Sequence, residues 1–194
     1  MCSSDLKRSA DSWSSRVGQL PGLKVGICWQ GNPENMADRK RSCRLAAFAP
    51  LAGLDGVTLI SLQKGAGEEQ LDRLPADVHI ERLGDTFNAG ADAFRDTVTV
   101  LRRLDLVITI DTATAHLAGA LARPTWVLLP FIPDWRWQLG REDSPWYPSF
   151  RLFRQPKLGD WDAVFGDVAR ALTTERDARR EAIMAEAAAA PVLR

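Results

Sequence analysis

The sequence predicts an α/β domain: a Rossmann-like parallel sheet with helices on both faces. Short apolar runs recur at residues 24–29 (KVGICW), 57–62 (VTLISL), 105–110 (DLVITI) and 125–129 (TWVLL), each followed within a few residues by a loop. They are too short for helices and suit strands buried on both faces. Stretches with helical spacing fall between them, and strand and helix alternate along the chain, the pattern of parallel strands joined by crossovers.

Residues 1–22 lack sustained periodicity, the opening MCSSDL is unlike the rest of the chain, and they are expected to be a disordered or foreign leader. The organised domain is placed at residues 23–172. Pro21-Gly22 and Gly31-Asn32-Pro33 bracket the first strand. A polar loop covers 30–42, a short helix 45–54, and the second strand 57–62. Residues 65–74 combine a loop with a short polar helix, and 78–83 form a weak third strand. In 92–104, Phe94, Val98, Leu101 and Leu104 mark one buried helix face. The clearest buried strand is 105–110, followed by a helix of small residues over 112–121. A strand at 125–129, a short one at 151–153 and a helix at 161–172 complete the domain. Asp160 is the expected cap of that last helix, which explains Asp160-Trp161-Asp162 better than a metal-binding D-x-D motif does. Residues 173–194 are charged, then Ala-rich, and are expected to form a helical or disordered tail.

Composition narrows the function. With 25 Lys plus Arg against 25 Asp plus Glu, no net field favours nucleic acid or an anionic membrane. There is no apolar run long enough for a membrane span and no secretory pattern at the start, so a cytoplasmic setting is expected. Cys2, Cys28 and Cys43 form no CxxC pair, which fits a reduced chain with Cys28 as a small core residue. The two histidines, His79 and His116, have no ligand spacing, so no metal site is expected.

In a parallel sheet, ligands bind at the carboxyl ends of the strands. The loops at 30–42, 63–69, 111–112 and 130–137 all follow strands and so share one edge. The stretch DLVITIDTATAHLAGAL runs from a buried strand straight into a helix, with Asp111 or Thr112 as its cap. The free N–H groups and the dipole at such a start attract anions. His116 lies four residues after Thr112 on the same face and leans towards that start. A capped core helix with a buried histidine fits the same spacing. Arg39, Lys40, Arg41 and Ser42 form a cationic, hydroxyl-bearing loop suited to phosphate; a solvated charge run is the alternative. Lys64 offers another cation and Gln63 a hydrogen-bonding partner for a base or ribose, or the two belong to a plain turn. The segment 130–147 holds Trp135, Trp137, Trp146 and Tyr147. It reads as a lid beside a sugar or base, as a loop packed on the sheet by its tryptophans, or as a docking face.

The same stretch resembles the D-T-G/A-x-x-H-L-A-A/G-A-L motif of glycosyltransferase family 9, the heptosyltransferases. It is more similar still to the domains that follow tetratricopeptide repeats in many bacterial proteins. VGICWQGNP with DRKRS, SLQKG, and LLPFIPDWRW with REDSPWYPSFRLFRQ match in the same order, over roughly residues 23–172. The resemblance implies the C-terminal half of a GT-B fold, which binds the nucleotide-sugar donor, with the acceptor half in a preceding, missing part. It implies that Asp111, Thr112 and Ala113 lie at the donor diphosphate, with Ala113 where the motif often has Gly. It makes His116 the catalytic residue, gives Arg41 and Ser42 a donor-binding role with Gln63 and Lys64, and sets Glu68 near the ribose.

The expected function is therefore transfer of a sugar from a nucleotide-diphosphate donor, without metal or cofactor, by a chain incomplete without its N-terminal half. A catalytically degenerate nucleotide-binding or protein-interaction module is the alternative. An epimerase-like enzyme would need its own acid and base pair, which is not evident, and the missing G-x-G-x-x-G after the first strand argues against a dehydrogenase.

Overall fold

The computed structural model describes residues 12–36, 38–89 and 93–189. Among these, six strands form one sheet: β1 (Leu23–Cys28), β2 (Val57–Ser61), β3 (Glu81–Arg82), β4 (Leu106–Ile110), β5 (Thr125–Leu129) and β6 (Phe150–Arg154). Their order is β3-β2-β1-β4-β5-β6, and every pairing between them is parallel. This is the Rossmann-like α/β fold the alternating pattern predicts. The strand order reverses between β1 and β4, and such reversal points open a crevice for ligands. Ile27 pairs with Ile108 and Cys28 with Thr109, so these two strands end within one residue of each other.

Helices cover both faces. One face of the sheet (Val25, Ile27, Leu59, Ile108, Leu128) packs under Phe48, Leu51, Phe165, Val168 and Leu172. The other (Ile60, Val107) packs under Val100, Leu101, Leu104 and Ala118. A Leu, Ile or Val buried this fully contributes about 1.5–3 kcal/mol, and β4 and β5 are buried at every position.

Three segments depart from the sequence reading. Residues 12–18 form a helix, α1. Trp13 and Val17 are buried in the same cluster as Phe87, and the Arg16 guanidinium donates to the Leu83 carbonyl at 2.8 Å. Organised structure thus begins before residue 23, and two apolar residues one turn apart are too short a signal to show it. Residues 1–11, the rest of the expected leader, lie outside the described residues. In α4 (Ala93–Leu101) the buried positions are Thr97, Val100 and Leu101, while Phe94 is exposed. Thr97 can be buried because its hydroxyl exchanges hydrogen bonds with the Asn88 side chain, at 2.8 and 3.1 Å. The helix expected over 45–54 is a 3-10 turn (Leu45–Phe48) followed by α3 (Ala49–Ala52).

The last helix, α6 (Trp161–Ala189), is continuous. Asp160 caps it by accepting from the Ala163 amide at 3.2 Å, as expected. Its buried face stops at Leu172. Beyond that the helix is largely exposed, tied to the sheet's other end by Arg179 on Asp105 at 2.9 Å. No helix among the described residues is long and apolar enough to cross a membrane.

Candidate functional site

At the point where the strand order reverses, a cleft of about 590 Å³ opens over the ends of β1, β2 and β4. Arg41, Gln63, Lys64, Asp111, Thr112, Ala113 and His116 all line it, so the fold brings together residues up to 75 positions apart in the chain. Ser42 does not line it.

The loop after β1 is built around Gln63. Its Oε1 accepts from the amides of Trp29 and Gln30, at 3.2 and 3.1 Å, and from the Cys28 thiol at 3.4 Å. Its Nε2 donates to the carbonyls of Gln30 and Ala66, at 2.9 and 2.8 Å. Both amide hydrogens and the oxygen are committed, and the side chain is buried. Gln63 borders the cleft as expected of a donor-binding residue, yet the hydrogen bonds it makes in this structure go to the protein itself.

The basic loop closes on a buried carboxylate. Asp38, in α2 (Asp38–Arg41), pairs with Arg41 Nε at 3.2 Å and accepts from the Ser42 hydroxyl at 2.9 Å. Ser42 Oγ in turn accepts from the Gly31 amide at 3.2 Å. Ser42 thus ties the loop to Asp38 and Gly31 and, unlike Arg41, is not among the residues lining the cleft. A side chain at Gly31 would collide, since its Cβ would lie 2.1 Å from Asp38 Oδ1. Only a glycine lets the loop fold this tightly over Asp38 and aim the Arg41 guanidinium at the cleft.

Helix α5 (Ala113–Ala120) starts at the cleft, with Thr112 in the cap position. Thr112 has the extended backbone of a cap, yet its side chain makes no capping bond. Its hydroxyl lies 3.2 Å from Thr109 Oγ1 and 3.9 Å from Cys28 Sγ. The first amides of α5 are thus left without a side-chain cap, beside the positive end of the helix. Asp111 is buried, with Oδ1 3.7 Å from His116 Nε2. The other ring nitrogen, Nδ1, lies 3.2 Å from the Tyr147 hydroxyl. The imidazole stacks on Trp137, with centroids 5.7 Å apart and planes 19° from parallel.

Cations surround this helix start. Lys64 lies 3.6 Å from Glu68, and Arg136, from the loop after β5, lines the cleft 3.4 Å from Asp134. The aromatic segment divides. Trp137 is fully buried and packs as the second of the three readings has it, while Trp146 is half-exposed, with its indole N–H donating to the Arg136 carbonyl at 2.9 Å. Trp135 is exposed, stacked under Arg136. Burial pushes the Cys28 and Cys43 thiols above their ordinary range, which disfavours the thiolate at Cys28 although it borders the cleft.

Sequence reasoning missed several lining residues. Arg136, Phe94, Thr97 and Asn88 border the cleft, and Tyr147 supports His116. The aromatic and basic content of 130–147 signals the first and last of these; nothing in the local pattern signals Asn88 and Thr97, which meet only through a turn with positive φ at Asn88.

Comparison with known proteins adds three findings. No known family profile matches the chain. Protein FlbA of Caulobacter vibrioides (strain ATCC 19089 / CIP 103742 / CB 15) is 32% identical over 164 residues, 82% of this chain and 27% of FlbA, so the chain spans about a quarter of the curated relative it matches. Among solved structures, E. coli ADP-heptose LPS heptosyltransferase II aligns with a TM-score of 0.56 at 18% identity, covering 90% of this chain and 53% of that one. The glycosyl transferase family 9 protein of Veillonella parvula DSM 2008 aligns with a TM-score of 0.52 at 12% identity, covering 80% and 41%. The chain therefore carries a glycosyltransferase-like fold, the six-stranded Rossmann-like sheet shared with heptosyltransferase and family 9 structures.

Proposed function

We propose that this chain is the donor-binding domain of a glycosyltransferase that uses a nucleotide-diphosphate sugar, of the kind linked to tetratricopeptide repeats. The observation that carries the reading is the uncapped start of α5, open to a cleft that also presents Arg41, Lys64 and Arg136. A helix start and convergent cations neutralise a diphosphate without a metal ion. In transfer, the bond between the sugar's anomeric carbon and the diphosphate breaks while a bond to an acceptor hydroxyl forms. The diphosphate leaves with the electron pair. Arg41, Lys64 and the amides of α5 hold that charge, and His116 donates a hydrogen bond to it. In this reading the acceptor site and the base that takes the acceptor's proton are supplied by a second half; the chain spans 41% and 53% of the two similar structures.

Titration of UDP and ADP into the purified chain tests the reading. At least one should bind, and His116→Ala should weaken it about tenfold or more, the size of one hydrogen bond to a charged group. Absence of binding by either nucleotide to the wild type sinks it.

A second reading has its own observation. Ile132, Trp135, Leu139 and Trp146 are exposed in the loops leading from β5 to β6, and an apolar surface of this kind suits a protein partner. A degenerate module that only binds would present it too. Sugar transfer by the full-length protein excludes that reading.

A further inference from the structure

His116 meets a polar neighbour at each ring nitrogen. The Tyr147 hydroxyl is hydrogen-bonded to Nδ1 at 3.2 Å, and the Asp111 carboxylate lies 3.7 Å from Nε2, an electrostatic contact beyond hydrogen-bond length. A carboxylate only accepts, whereas a phenol can donate or accept. The nearby Asp111 carboxylate favours the proton on Nε2, and Tyr147 then donates to a bare Nδ1.

The surroundings are built for this contact. Tyr147 comes from the loop before β6, pinned where the Ser144 hydroxyl accepts from the amides of Trp146 and Tyr147 at 3.2 and 3.4 Å. Its ring packs on Phe150 with centroids 4.7 Å apart. It also lies across α5 at Gly119, where an added Cβ would sit 2.5 Å from the ring. That glycine, costly inside a helix, makes room for the phenol that reaches His116. Trp137 stacks on the imidazole and restricts its tilt.

We infer that Tyr147 is a positioning residue: its hydroxyl donates to His116 Nδ1 and so fixes the imidazole with an Nε2–H donor directed at the cleft. The role of that donor towards a diphosphate rests on the proposed function; the tautomer does not.

The experiment separates the two. Nitrogen-15 NMR of histidine-labelled protein should show, in the wild type at a pH where His116 is neutral, a protonated Nε2 and an Nδ1 resonance shifted by an accepted hydrogen bond. In Tyr147→Phe the Nδ1 resonance should move to that of a free lone pair, while the melting temperature confirms an intact fold. Tyr147→Phe should also bind UDP and ADP about fivefold more weakly, one neutral hydrogen bond's worth. A proton on Nδ1 in the wild type, or an Nδ1 resonance that Tyr147→Phe leaves unmoved, overturns the inference. So does unchanged UDP and ADP affinity in Tyr147→Phe when the wild type binds. If the wild type binds neither nucleotide, the donor-binding reading falls and the NMR result still decides the tautomer.

Discussion

Gln63 and Thr112 stand at matching places, just beyond the ends of β2 and β4, and both line the cleft. The structure uses them in opposite ways. Gln63 is buried and gives every hydrogen bond it can make to the protein. Thr112 occupies a cap position and leaves the helix amides uncapped. A polar residue at a ligand-binding edge is thus no guide to ligand contact by itself. What separates the two is hydrogen-bonding capacity already spent against capacity left open, and a substitution at each reads out that difference.

The largest effect is expected at Gln63. Gln63→Ala removes the acceptor of two backbone amides and the donor to two carbonyls in one buried place. Each buried polar group left unmet costs about 1–3 kcal/mol, and partial hydration of the loop recovers some of that. A loss of about 3 kcal/mol or more in urea denaturation is expected. A loss under about 1 kcal/mol would place Gln63 among the ligand-facing residues after all.

Lys64, its neighbour in sequence, should behave in the other way. Its partner Glu68 lies at 3.6 Å and both side chains are about one-third exposed, so the pair contributes at most about 1 kcal/mol to stability. Lys64→Ala should leave the denaturation midpoint nearly unchanged and weaken UDP or ADP binding about tenfold, with a shallower salt dependence than wild type. Equal loss of stability and unchanged affinity would assign Lys64 to the turn alone.

The contrast also explains which parts are legible in the sequence. The sheet can be read because β4 and β5 are apolar at nearly every position, which only a strand covered on both faces requires. The strand–turn–helix at 106–120 can be read because its turn, cap position and histidine are local. The internal bonds of Gln63 are not legible because its partners, Trp29 and Gln30, lie more than thirty residues away. Tyr147 shows in the sequence as an aromatic of its loop, yet its contact with His116 spans 31 positions and depends on Gly119 leaving space. Periodicity assigns Phe94 to the core because it counts apolar residues, and the buried residue of that turn is Thr97, made acceptable by Asn88. Local chemistry shows in sequence; the pairing of polar groups across elements does not.

The smallest stability effect is expected at Thr112, and it bears directly on the proposed anion site. A threonine that caps a helix through its side chain is worth about 0.5–2 kcal/mol over alanine. Here the hydroxyl turns to Thr109 and Cys28 instead, and Thr109 Oγ1 already donates to the Ile110 carbonyl at 2.9 Å. Thr112→Ala should therefore change stability by less than about 0.5 kcal/mol, below the usual range for a lost cap. Its effect should appear instead in a few-fold weaker binding of UDP or ADP, since the hydroxyl stands beside the free amides of α5. A stability loss of about 1–2 kcal/mol, with nucleotide affinity unmoved, would mean that Thr112 caps α5 in solution. The helix start would then be closed by the protein itself, and the proposed diphosphate would have to be held by Arg41, Lys64 and Arg136 alone.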